Sequence, residues 1–343
     1  MDPIISLVAI FIFILTAGIM KDWRSTAGRE YTYSIIIACR NEESNLPSLF
    51  YALDKINYSE RDYEIILVDH NSQDNTSNLL DEFCKNRENR KFLHVSQKNS
   101  EFKGKKQALQ SAVEIAQKEI LLFTDADCLP PSAWLLDMNK YIGDKTGMVV
   151  GYSPETTADL FRKFSQIMSA AFYCATIGLG LPFSSNGRNL AVKSSVFTQV
   201  EGFNKIKDHP CGEDKQLLQL INKTNYKVAY NAKNNVFTKP VKEDFDDQQK
   251  RRYGQFGISS PFYKLISVLI FLFYLYLPIS IILGLNVVNI FIYFIPLLVF
   301  WKVTLQKHNE KFHPAHILYL LTYPYYLIFY SIYGMLAKWK WKN

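Results

Sequence analysis

Leu265 to Trp301 runs for 37 residues without a formal charge. A helix crossing a bilayer needs roughly 20 such residues, so this stretch is long enough for two spans with a turn near Gly284-Leu285-Asn286. Ala315–Ala337 adds 23 uncharged residues and Ile4–Met20 another 17. The apolar residues therefore sit at the two ends, and residues 30–257 between them have the mixed composition of a soluble domain. Lys21, Arg24 and Arg29 follow the first run, while only Asp2 precedes it. By the positive-inside tendency residues 1–24 read as a signal anchor that leaves the next domain in the cytoplasm. Residues 258–343 read as about three further membrane helices and a basic tail. Three crossings would put Lys338-Trp-Lys-Trp-Lys342 outside, against that tendency. Either one segment is re-entrant, as Pro278, Pro296 and Pro324 permit, or the tail lies at the interface. Both readings stay open.

The net charge of +7 fits a domain resting on anionic headgroups, at the inner (plasma) membrane. No nucleic-acid partner is expected, because the lysines are scattered rather than interleaved with aromatics in one patch. Five cysteines share no CxxC spacing, so reduced thiols are expected and zinc is not. His313 and His316 read as interfacial residues beside the last apolar run. The uncharged stretch Met168–Asn186 reads as a buried helix or, preferably, a surface-lying one.

The middle of the chain alternates strand and helix. Ser34–Ala38 and Tyr63–Asp69 are apolar runs of strand length. Helix starts are expected at Glu42-Glu43-Ser-Asn-Leu-Pro and at Asn71-Ser-Gln-Asp74, and a further helix over Lys105–Lys118 leads into a strand at Glu119–Thr124. Such alternation predicts an α/β domain with parallel βαβ units, in which ligands gather at the carboxyl ends of the strands. Cys39–Glu42, Asp69–Asp74 and Asp125–Asp127 all fall at such ends.

Asp125-Ala126-Asp127 ends the run Ile120-Leu-Leu-Phe123. Two carboxylates at i and i+2 on a strand point to one side, where they suit a hard divalent cation, Mg²⁺ or Mn²⁺. A helix N-cap with a surface acid gives the same pattern.

Seven motifs in order resemble the membrane-anchored family 2 inverting glycosyltransferases, nucleotide-sugar enzymes of the GT-A fold. They are Ile35-Ile-Ile-Ala-Cys-Arg40-Asn41-Glu42, Val68-Asp69-His70-Asn71-Ser72-Gln73-Asp74, Lys103-Gly104-Lys105 with Ala108-Leu109, Asp125-Ala-Asp127, Gly187-Arg-Asn189-Leu-Ala191, Gly212-Glu213-Asp214, and Gln249-Lys-Arg-Arg252-Tyr253. The resemblance implies a GT-A-type mixed sheet flanked by helices over roughly residues 32–257. It implies a nucleoside-diphosphate sugar donor (UDP- or GDP-sugar) and a lipid or saccharide acceptor. Asp127 would bind the cation and Asp125 the ion or the ribose, with Arg40, Glu42 and Asp69 at the nucleoside, Lys105 at phosphate and Asn189 at the sugar. Asp214, beside Glu213, would be the general base. Gln249, Arg252 and Tyr253 would grip the diphosphate and acceptor; the rival reading of that segment is a basic juxtamembrane helix.

His70 stands where the family has a second acid, and Tyr253 where it has Trp. These departures leave the nucleobase contact and the acceptor stacking unassigned. A processive polysaccharide synthase and an inactive nucleotide-sugar-binding protein are the alternative readings.

Overall fold

A computed structural model of the chain describes residues 2–25, 28–96, 101–102, 104–208, 212–233, 235–240, 249, 261–282 and 287–336. They form two units. One comprises Lys21–Thr156 and Thr176–Lys239, the other Met1–Met20, Thr157–Ala175 and Pro240–Asn343.

The first unit is built on strands β1 (Tyr33–Cys39), β2 (Tyr63–Asp69), β3 (Arg90–His94), β4 (Ile120–Asp125), β5 (Cys128–Leu129), β6 (Thr146–Gly151), β7 (Leu190–Lys193), β8 (Lys227–Asn231) and β9 (Phe237–Thr238). Seven of them form one sheet in the order β3-β2-β1-β4-β7-β6-β8, while β5 and β9 make a separate antiparallel pair. Strands β3, β2, β1 and β4 run parallel, and β7 runs antiparallel to both β4 and β6.

The central strands are apolar because both faces are covered. Ile35 and Ile37 join the core formed with Leu46, Leu49 and Leu53 of helix α2 (Leu46–Asp54) and with Trp134, Leu135 and Met138. Those three leucines recur at helical spacing, and each contributes about 2 kcal/mol by leaving water. Ile36 alternates to the opposite face, where the helix Lys106–Ile115 packs on β1 and β2 and buries Ala108, Leu109 and Ala112.

The strands fall where the apolar runs predict them, and the helices start later. α2 begins at Leu46 rather than Glu42, since Asn41 adopts φ 55° and Pro47 favours the first helical turn. α3 (Thr76–Cys84) begins after Asp74, whose Oδ1 accepts the Thr76 N–H at 3.0 Å. The helix expected over Lys105–Lys118, α4, spans Lys106–Ile115.

In the second unit, Asp2 Oδ1 accepts the N–H groups of Ile4 (2.8 Å) and Ile5 (3.2 Å), capping helix α1 (Pro3–Met20). The C-terminal runs form helices Pro261–Ile282, Val287–His308 and Ala315–Leu336. The expected turn at Gly284–Asn286 lies outside the described residues. Among those described, two helices are long and apolar enough to cross a membrane: Pro3–Met20 (mean hydropathy 2.6) and Val288–His308 (1.9). The last helix carries tyrosines at 319, 323, 325, 326, 330 and 333, which lower its hydropathy. A helix running Leu160–Gly178 places its residues up to Ala175 in this unit. Lys163 Nζ pairs with Glu310 Oε2 at 3.0 Å, and Phe164 packs on Trp301.

Candidate active site

The parallel register sets Cys39 beside Asp69, Ala38 beside Asp125 and Asp69 beside His94, so the ends of β1, β2, β3 and β4 share one edge. Two loops interlock there. Asn41 N–H donates to Ser72 Oγ (3.0 Å), Gln73 N–H to Asn41 Oδ1 (2.8 Å), and Glu42 N–H to Thr76 Oγ1 (2.8 Å). Asn41 and Asn71 both take left-handed backbone (φ 55° and 58°), which Asn tolerates better than most residues. Glu42 Oε2 accepts from Asn45 Nδ2 at 2.7 Å, and Arg40 is half-buried on the turn after β1.

Asp69 is fully buried, accepting Ser72 N–H at 3.1 Å and lying 2.8 Å from His94 Nδ1. His70 is also buried, with its Nε2 unpartnered among the described residues. Burial, then the nearby Arg40 charge, lowers the His70 pKa and keeps the ring neutral.

A second cluster gathers four charged groups. Lys105, just ahead of α4, lies 2.9 Å from Asp125 Oδ1 and 3.0 Å from Glu213 Oε1. Burial works against its charge, but Asp125 and Glu213 outweigh it and hold the ammonium protonated. Glu213 and Asp214 open the helix Glu213–Ile221 directly after Gly212, whose φ of 72° suits glycine. Asp214 Oδ2 accepts the Gly187 N–H at 3.1 Å. Burial, then the Glu213 charge, pushes the Asp214 carboxyl up to about 6. These residues line a cleft open to solvent, with Phe123, Phe203 and Leu217 on its apolar wall.

The two acids of the Asp-Ala-Asp motif do not share a strand. β4 ends at Asp125, and Asp127 lies in the turn to β5, where its carbonyl accepts from Lys239 N–H at 3.1 Å. Burial, then the Asp125 charge, raises the Asp127 pKa. Among the described residues no three His, Cys, Asp or Glu side chains form a ready-made metal cluster. The pair is nonetheless a hard-oxygen donor set, which fits a divalent cation completed by phosphate oxygens.

Asn189 is fully buried, with Oδ1 accepting from Trp134 Nε1 (3.0 Å) and Nδ2 donating to Tyr152 O (3.1 Å). Gln249 is buried in the other unit; Arg252 and Tyr253 lie outside the described residues. Sequence reasoning passed over His94 and the Gly187 N–H. His94 belongs to no motif, and its register opposite Asp69 is a matter of strand pairing. The glycine of Gly187-Arg-Asn189 could have marked a backbone donor.

Comparison with known proteins extends these observations. The model of "Glycosyl transferase family 2" matches residues 34–199, and that of "Glycosyl transferase family group 2" matches residues 126–339. A probable glycosyltransferase YdaM of Bacillus subtilis is 26% identical over 216 residues, covering 61% of this chain and 50% of that protein. A beta-monoglucosyldiacylglycerol synthase of Trichormus variabilis is 34% identical over 103 residues, 30% of this chain and 22% of its own. The chain thus spans half or less of these two relatives. A mannosyltransferase from Pyrobaculum calidifontis, solved with GDP-Man and Mn²⁺, superposes with a TM-score of 0.63 at 15% identity, covering 97% of this chain and 98% of that one. At that identity the likeness is one of fold, and it is the GT-A-type mixed sheet that the motifs imply. Since the second family model takes in more than half of the residues, the chain belongs to glycosyl transferase family group 2, the family 2 glycosyltransferases its motifs resemble.

Proposed function

We propose that the chain transfers a sugar from a nucleoside-diphosphate sugar to an acceptor hydroxyl with inversion at the anomeric carbon. The observation that carries this reading is Asp214. It is a carboxylate pushed up to about 6, fixed by the Gly187 N–H and opening on the same cleft as Asp125. A general base works best with a pKa near the operating pH, and this one is shifted in that direction. Asp214 takes the acceptor proton as the hydroxyl oxygen bonds to the anomeric carbon; the bond to the leaving phosphate oxygen breaks with its electron pair. Asp125 and Asp127 would hold Mg²⁺ or Mn²⁺, which when bound neutralises charge on the departing diphosphate. Lys105 lies beside Asp125 and adds its own positive charge there.

The acceptor in this reading is a membrane lipid or lipid-linked saccharide. Two helices long and apolar enough to cross a bilayer support it, as does the likeness to a beta-monoglucosyldiacylglycerol synthase. Residues 30–257 form the catalytic domain on the cytoplasmic side, between the anchor of residues 1–24 and the helices of residues 258–343.

The test is a panel of UDP-, GDP- and other nucleotide sugars offered to the full chain in detergent with Mn²⁺ and lipid acceptors. Transfer that Asp214→Asn abolishes, with anomeric inversion in the product, is the expected result. Binding of a nucleotide sugar with no transfer to any acceptor would favour the inactive binding protein, and a product of many sugars per encounter the processive synthase.

A further inference from the structure

Both oxygens of Asp69 are committed inside the protein, one to Ser72 N–H and the other to His94 Nδ1. A carboxylate can only accept, so Nδ1 carries a proton, and in the tautomer this bond selects Nε2 is the acceptor. The His94 side chain is 54% exposed, whereas the Asp69 side chain that holds it is 0% exposed. Among the described residues the His94 ring makes no second hydrogen bond. Next to Asp69 in the chain, His70 Nε2 is buried without a partner among the described residues, and an orphaned polar atom at a strand end marks a place where the protein alone does not complete the bonding.

Position supplies the ligand. The carboxyl ends of β3, β2, β1 and β4 stand in a row, from His94 through Asp69 and Cys39 to Asp125. Three interstrand steps span about 14 Å, the scale of an extended nucleoside diphosphate. Helix α4 ties the two ends together. Gln107 Nε2 donates to Ser96 O at 3.0 Å, two residues beyond His94, and Lys105 reaches Asp125 at the other end.

We infer that His94, oriented by Asp69, is the residue that reads the base of the donor nucleotide, accepting through Nε2 a hydrogen bond from a base N–H. Asp69 is then a positioning residue that fixes the tautomer. The inference rests on the nucleotide-sugar reading given above and adds the group that selects the base.

The experiment is calorimetric titration of the full chain in detergent with UDP, GDP, ADP and CDP in the presence of Mn²⁺. His94→Ala should weaken the preferred nucleotide about tenfold, the worth of one hydrogen bond to a site left unpaired. His94→Gln, whose amide oxygen can take the place of Nε2, should stay within about threefold of the wild type. The preferred nucleotide methylated at its base N–H should bind the wild type as weakly as the parent binds His94→Ala, and His94→Ala should not tell the two ligands apart. A purely structural role would weaken both ligands equally and would give no rescue by Gln. Wild-type binding with unchanged affinity and base preference in His94→Ala overturns the inference while leaving the transferase reading standing. Failure of the wild type to bind any of the four overturns both.

Discussion

Lys105 and Glu213 meet at 3.0 Å across the cleft and so join the start of α4 to the start of the helix Glu213–Ile221. The same ammonium bonds Asp125 at 2.9 Å, so one cation holds the end of a strand and the starts of two helices. Its charge also restrains the rise of the Asp214 pKa. Lys105→Met should therefore move the acid limb of the pH–rate profile to higher pH, so that activity lost near neutrality partly returns in alkaline buffer. Unfolding by denaturant should show a loss of about 1–2 kcal/mol, since the bonds are charge-assisted but the groups are partly exposed.

Asp214 gives a pH dependence with a definite sign. A base must be deprotonated, so transfer should fall on acidification with a midpoint of about 6. Asp214→Asn should lower the rate by roughly 10²–10⁴ and leave nucleotide affinity unchanged, which titration of the variant checks.

Stability should respond in the opposite direction. The native Asp214 carboxyl binds its proton more tightly than an unfolded one, so raising the pH from 3.8 to about 6 favours unfolding at this residue. Asp214→Asn should melt higher than the wild type above that window, by about 1–2 kcal/mol once partial exposure is allowed for, and equally below it.

Asp127 is held high by burial and by Asp125, a penalty that a bound cation would relieve. A chelator should abolish transfer and Mn²⁺ should restore it, while Asp127→Asn should raise the Mn²⁺ needed for half-maximal rate. Turnover undiminished in chelator would remove the cation from the reading.

Asn189 satisfies Trp134 Nε1 and Tyr152 O in the core, so Asn189→Ala should cost about 2–3 kcal/mol in denaturant unfolding by leaving buried groups unbonded. Gly151→Ala should act through the same asparagine, because an added Cβ would stand 2.2 Å from Asn189 Nδ2.

Strands whose two faces are covered were easy to read. Tyr63–Asp69 is a strand over the whole span its apolar run predicts, and the parallel stacking of β1, β2 and β4 follows from the helices between them. Helix starts were less legible, because Asn41 and Asn45 continue the turn that Pro47 finally closes. Composition located the site edge through its acids. It did not show which polar side chains are free for a ligand, since that depends on partners far apart in sequence: Asp69 is held by His94, and Asn189 by Trp134. The reversal of β7 carried no local signal either, because a short apolar run reads the same in both directions.

That reversal has a consequence for how such a chain can diverge. A parallel strand would deliver its trailing loop to the edge where Asp125 stands; β7 delivers its leading one, so Gly187 arrives there before the strand begins, and Arg188 O receives the hydroxyl of Thr124. The edge that carries Asp125 and the wall beside Asp214 thus come from connections on opposite ends of their strands. Either can lengthen, shorten or change its chemistry while the other keeps its register.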